Sequence, residues 1–206
     1  MPLFRLTDHI IFPPGHLAED GLLAVGGDLS PERLLVAYKN GIFPWYSEED
    51  PILWWSPDPR MVLFPDDIHI ARRLQRTIRQ GIFQVTADQR FEAVITNCAN
   101  TPRADQEGTW ILPEMIEAYT RLHNLGYAHS IEVWKGDRLV GGLYGVSIGA
   151  GFFAESMYSH ADNASKIAVT ALALQSQHWG FSFIDCQMHT PHLASLGGQT
   201  IPRRKF

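Results

Sequence analysis

The sequence is poor in cysteine. Its 206 residues hold two, Cys98 and Cys186, far apart and in no Cys-x-x-Cys pair. This excludes a disulfide scaffold and fits a reducing cytoplasm. Lysine is scarce too, four against thirteen arginines, and the net charge is −5. A protein that coats nucleic acid by bulk positive charge is therefore excluded, although local arginine patches can still bind phosphates. No apolar run approaches the roughly 20 residues of a membrane span. The opening MPLFRLTDHIIFPP lacks the charge, apolar stretch and cleavage site of a signal peptide. Repeats, low-complexity tracts, a P-loop lysine and a GxGxxG turn are all missing. The expectation is a cytoplasmic protein without a membrane partner, acting as a monomer.

What the sequence does have is aromatic rings in an unusual setting. Gly41 to Arg60 reads GIFPWYSEEDPILWWSPDPR, with three tryptophans, a tyrosine, a phenylalanine and four prolines. The prolines argue against a helix or an inner strand. The rings suit either the core of a small domain or a platform for a flat ligand such as a nucleobase. Trp45, Trp54, Trp55 and Trp110 are the candidate stacking surfaces.

Two units are expected, residues 1–61 and 62–206. The first contains a helix with clear ends: Ser30 as N-cap, Pro31 in the first turn and Gly41 just past the end. In the second, PDDIHIARRLQRTIRQG predicts a helix capped by Asp66 or Asp67. A short strand, FQVTAD, follows. DQRFEAVITNCAN predicts a helix capped by Asp88, and a polar loop spans 101–110. A helix opened by Pro113, a hairpin turning at Lys135–Arg138 and a further strand come next. The chain then predicts a helix from Asn163 to Gly180 and a last strand, FSFIDCQM. Helices first and consecutive strands after them indicate an α+β fold on a mostly antiparallel sheet, not a Rossmann alternation.

Candidate chemistry sits on the strands. A period of two puts Phe181, Phe183, Asp185 and Gln187 on one face of FSFIDCQM and Cys186 on the other. A carboxylate beside a carboxamide can orient it and favour positive charge nearby, although polar residues also end ordinary strands. Cys186, His189 and His192 have a spacing that zinc could use, but Pro191 interrupts it; a buried thiol is the simpler reading of Cys186. Glu155 could meet a cationic ligand or pair with a structural arginine. Phe152 and Met157 are pocket or core residues. Arg72, Arg76 and Arg79 follow i, i+4, i+7 on one helix face, with Arg73 beside them, which suits phosphates or plain solvent.

Several stretches then converge: GLLAVGGDLSPERLLVAYKNGIFPWYSEEDPILWWSPDPR, EGTWI, AHSIEVW, LVGGLYGV, FFAESMYS, NASKIA, IDCQ and HLASLGGQTIPRR. In this order, over nearly the whole chain, they resemble the leucyl/phenylalanyl-tRNA–protein transferase family. The resemblance implies a small N-terminal domain and a GNAT-like acyltransferase domain. It implies transfer of Leu or Phe, less readily Met, from aminoacyl-tRNA to proteins beginning with Arg or Lys, marking them for degradation, with no cofactor and no metal. It also implies roles. Trp45 and Trp110 match residues at the terminal adenosine, and Phe152 and Met157 match the aminoacyl side-chain pocket. Asp185 and Gln187 match the catalytic pair, and Glu155 an acidic active-site position. Arg72, Arg73 and Arg76 are the expected tRNA contacts. Leu143 stands where some members carry methionine, and Thr190 where some carry asparagine.

A rival reading is an acetyl-CoA-dependent acyltransferase. It needs a glycine turn that cradles pyrophosphate before a helix. The nearest stretch, Arg138-Leu-Val-Gly141-Gly142-Leu143, lies in a predicted hairpin. A non-catalytic RNA-binding module is a second rival.

Overall fold

A computed structural model describes residues 3–102 and 109–206. The polar loop expected over 101–110, and Glu107 and Gly108 of EGTWI, lie wholly or partly outside the described residues.

Strands β1 (Phe4–Leu6), β2 (Leu22–Gly26), β3 (Phe43–Pro44) and β4 (Leu53–Trp55) form a four-stranded sheet in the order β1-β2-β4-β3. Helix α1 (Pro31–Lys39) connects β2 to β3. Its ends follow the sequence: the Ser30 side chain accepts from the Arg33 N–H, Pro31 opens the helix, and Gly41 takes φ +68 just beyond it.

The larger sheet has seven strands. They are β5 (Arg60–Leu63), β6 (Gln84–Ala87), β7 (Ala128–Lys135), β8 (Arg138–Ile148), β9 (Gly151–Ser159), β10 (Phe183–Gln187) and β11 (Gln199–Ile201). The order is β11-β5-β10-β9-β8-β7-β6, and only β9 and β10 run parallel. The expected division after residue 61 falls inside β5. Helices α2 (Arg72–Arg79), α3 (Phe91–Asn100), α4 (Pro113–Asn124), α5 (Ala164–Trp179) and α6 (Pro191–Ala194) complete the chain. The architecture is α+β with a mostly antiparallel mixed sheet.

Each face of this sheet carries its own core. On one, α3, α4 and the N-terminal unit pack against Tyr144, Val146, Phe153 and Tyr158. On the other, α5 packs against Val133, Val140, Leu143, Phe152 and Ile184. Removing this apolar surface from water is the main force holding the layers together.

Local expectations failed where tertiary partners intervened. The helix expected from Asp66 starts only at Arg72, and Pro65–Asp67 form a 3-10 turn. The His69 N–H donates to the Leu196 carbonyl at 2.8 Å, so the chain there is tied to a distant segment. Asp88 does not cap α3. Its Oδ1 accepts from the Ser130 N–H at 2.8 Å, and its Oδ2 lies 2.7 Å from His129 Nδ1. Asn163 precedes α5 at φ +69, and its side chain makes no capping bond. Phe181 lies before β10 and packs with the second core, so it does not share a face with Phe183. The Arg138–Leu143 stretch opens β8, which runs on to Ile148, so no helix follows it to cradle a pyrophosphate.

Candidate functional site

Two neighbouring β-bulges make the site. In β10, Asp185 faces Val62 of β5 and Gln187 faces Met61, so Cys186 is an extra residue and Gln187 takes φ +62. In β9, Ala154 faces Gly145 and Ser156 faces Tyr144, so Glu155 is the extra residue. Bulges re-aim side chains next to functional sites. Gly145 is needed opposite the second one: a Cβ there would lie 2.2 Å from the Phe153 carbonyl oxygen. Because β9 and β10 pair with Phe153 beside Asp185, the two bulges bring Glu155 and Gln187 together.

Gln187 Nε2 donates to Glu155 Oε1 at 2.7 Å. The Tyr119 hydroxyl donates to Glu155 Oε2 at 3.2 Å and shares a short hydrogen bond with the Tyr38 hydroxyl. All four residues are buried. Burial pushes the Glu155 carboxyl up to about 7; donors from Tyr38, Tyr119 and Gln187 pull against this rise, and the Asp185 charge adds to it. Burial also raises the Tyr38 and Tyr119 hydroxyls well above their usual value, so both stay protonated. The amide presents its NH2 to Glu155, which as an ionised carboxylate only accepts. Its oxygen is then left for the cavity that Gln187 borders.

Asp185 lies behind this pair and is fully buried. Arg60 grips it with two hydrogen bonds, Nε to Oδ1 at 2.8 Å and Nη2 to Oδ2 at 2.5 Å. The guanidinium is itself covered by the rings of Phe43 and Phe206, at 4.8 and 4.9 Å. Asp185 Oδ1 also accepts from the Gln187 backbone N–H at 2.9 Å. Asp185 thus holds the Gln187 backbone in its left-handed conformation, while Glu155 holds the amide.

Gln187 and Glu155 open onto a cavity of about 440 Å³. Trp45, Trp110, Phe43 and Met157 give it apolar walls. Trp45 meets Trp55 edge-on at 5.4 Å, and its carbonyl accepts from Trp55 Nε1 at 2.6 Å. Trp55 therefore braces Trp45. Trp54 is fully buried and donates to the Gly26 carbonyl at 2.8 Å. It is a core residue and offers no stacking face, contrary to the expectation from sequence.

The family described as leucyl/phenylalanyl-tRNA protein transferase matches residues 62–206, and its N-terminal domain matches residues 27–58. The chain belongs to this family. It is 56% identical to a leucyl/phenylalanyl-tRNA–protein transferase of Anaeromyxobacter sp. (strain Fw109-5), covering 100% of this chain and 88% of that one. It is 59% identical to one from Hydrogenovibrio crunogenus, covering 100% and 81%. The chain is thus an aminoacyltransferase. Solved structures of similar shape include a GCN5-related N-acetyltransferase from Kribbella flavida, with TM-score 0.43, 8% identity and coverage of 82% and 60%. Another is a GCN5-related N-acetyltransferase-like protein from Streptococcus suis, with TM-score 0.41, 16% identity and coverage of 80% and 61%. Scores this low leave the fold described by its own topology.

Of the residues expected in the transferase site, Trp45, Trp110, Glu155, Met157 and Gln187 border the one cavity. Asp185 is one layer behind it. Phe152 is not in the wall; it packs in the second core against Gly145. Arg72, Arg73 and Arg76 are exposed on α2, whose Leu74 is buried. Cys186 borders the cavity, but burial, with the Asp185 charge adding to it, holds the thiol protonated, which removes it as a nucleophile. Among the described residues no three metal-ligating side chains gather. The sequence reading missed Tyr38, Tyr119 and Arg60. Each comes from a distant segment, and a buried tyrosine or arginine carries no local periodic mark.

Proposed function

We propose that this cavity holds the aminoacyl-adenosine end of a leucyl- or phenylalanyl-tRNA and passes the amino acid to the α-amine of a protein that begins with Arg or Lys. Methionine is a poorer donor in this reading. The product carries a new N-terminal Leu or Phe that marks it for proteolysis. No described helix is long and apolar enough to cross a membrane. We place the reaction in the cytoplasm and take the acting unit to be a monomer.

The observation that carries the proposal is the fixed amide of Gln187, 2.7 Å from Glu155, at the edge of a tryptophan-walled cavity. An aminoacyl ester is already activated. The amine nitrogen attacks the ester carbonyl, the C–N bond forms, and the C–O bond to the 3′ oxygen breaks. One proton passes from the amine to that leaving oxygen. Gln187 Oε1 accepts a hydrogen bond from the attacking N–H and aims its lone pair. Alignment of this kind is worth roughly 7–11 kcal/mol at its upper range. Glu155 fixes the amide, and Asp185, neutralised by Arg60, fixes the backbone beneath it. Trp45 and Trp110 take the adenine, and Met157 contacts the aminoacyl side chain. An apolar slot separates side chains by only about 1–3 kcal/mol per methylene, so imperfect discrimination is expected. Arg72, Arg73 and Arg76 take tRNA phosphates.

The test is incubation with radiolabelled Leu-tRNA and a protein beginning with Arg, beside a Gly-starting control. Label is expected in the first protein only. Equal or absent labelling in both would overturn the reading.

A further inference from the structure

A second, polar pocket of about 400 Å³ adjoins the cavity, and Ser159, Ser165 and His192 border both. It lies at the start of α5, a helix of 16 residues. Ser165 is only 8% exposed, and among the described residues nothing bonds its hydroxyl. His192 Nε2 is buried with no hydrogen-bond partner. The Ala164 N–H donates to the Ala161 carbonyl and the Ser165 N–H to Ser159 Oγ, whereas the Lys166 N–H has no partner among the described residues. The Lys166 N–H is one of the first-turn donors that any helix leaves free, and His192 Nε2, buried without a partner, together with the unbonded Ser165 hydroxyl in the pocket lining, gives a ligand two further groups to bond. All of these can donate. Lys166 and the positive end of α5 add positive potential. Burial and the Lys166 charge lower the His192 pKa, so the ring is neutral and keeps one N–H to donate. Asp162 borders the pocket from an exposed position and works against an anion. A cationic acceptor side chain would meet Lys166 and the helix end, which repel it.

We propose that this pocket binds the phosphodiester that joins the terminal adenosine of the aminoacyl-tRNA to the preceding nucleotide. The inference rests on the reading of the adjoining cavity as an aminoacyl-adenosine site. It makes the pocket a second anchor for the 3′ end, next to the reacting ester and apart from the arginines of α2.

The test uses two non-hydrolysable ligands: 3′-phenylalanylamido-3′-deoxyadenosine, and the same compound carrying a 5′-phosphate methyl ester. Their dissociation constants are compared by calorimetry. The wild-type chain is expected to bind the diester about tenfold tighter, the scale of added charge-assisted hydrogen bonds. Lys166→Ala should cut that ratio threefold or more, Lys166→Arg should keep most of it, and Asp162→Asn should raise it. Because the readout is a ratio, a general loss of folding cancels. A wild-type ratio near one, or an unchanged ratio in Lys166→Ala, overturns the proposal. If neither ligand binds the wild-type chain, the reading of the main cavity falls, and this one with it.

Discussion

Gln187 Nε2 donates to Glu155 Oε1 at 2.7 Å, and both residues stand at β-bulges in adjacent strands. The amide that faces the cavity is therefore oriented by Glu155, with Tyr119 and Tyr38 behind it. The sequence reading gave this role to Asp185, which instead bonds the Gln187 backbone and Arg60.

Glu155 and Gln187 should act as one unit. Gln187→Ala is expected to lower kcat by about 100-fold, within the range for misplaced catalytic groups, with little change in tRNA affinity. Glu155→Ala should cost nearly as much, and the double variant little more than either. Single-turnover kinetics on all four proteins would check this. Fully additive losses would separate the two residues.

Stability should depend on pH through Glu155. Its carboxyl is raised from 4.5 to about 7 in the folded chain. The folded state therefore holds a proton that the unfolded state releases between these values. The stability contribution is full below about 4.5 and is lost as pH rises through about 7. Urea unfolding of the wild type and of Glu155→Gln at pH 5, 6, 7 and 8 would measure it. The wild type should lose on the order of 3 kcal/mol relative to the variant across that range.

The three tryptophans should separate by role. Trp45→Ala and Trp110→Ala are expected to raise the KM for Leu-tRNA roughly 5- to 160-fold, from about 1–3 kcal/mol of lost stacking each. Trp54→Ala should act on the fold, costing about 3–5 kcal/mol. Thermal melting beside steady-state kinetics distinguishes the two effects.

Arg60 is the sole partner that neutralises Asp185 among the described ion pairs. Arg60→Met leaves a buried carboxylate without its counter-charge and should destabilise the chain by about 3–5 kcal/mol. In the double variant Arg60→Met, Asp185→Leu much of that stability should return while transfer stays lost. Denaturant titration and the transfer assay check the two halves.

For the arginines of α2, Arg76→Ala should reduce the slope of log affinity against log salt by about one, with affinity falling for every tRNA sequence. Filter binding at several salt concentrations tests it. An unchanged slope would move the phosphate contacts elsewhere.

The sequence by itself determined the elements with strong local signals. Ser30, Pro31 and Gly41 bound α1, the hairpin turns between β7 and β8, and Gly180 closes α5 at φ +71. Alternation placed Phe183 with one core and Ile184 and Cys186 with the other. These follow from backbone sterics and from side-chain periods of two and 3.6, which are local properties. Only the tertiary structure decided what Glu155, Tyr38, Tyr119 and Arg60 do. Their partners lie 32 to 125 residues away in the chain, and two bulges set the direction of Glu155 and of its partner Gln187. A bulge exists only relative to the strand beside it, so no local pattern announces it. The same holds for Trp54 and Trp45, neighbours in composition but not in burial: packing sent one indole to the core and left the other at the cavity.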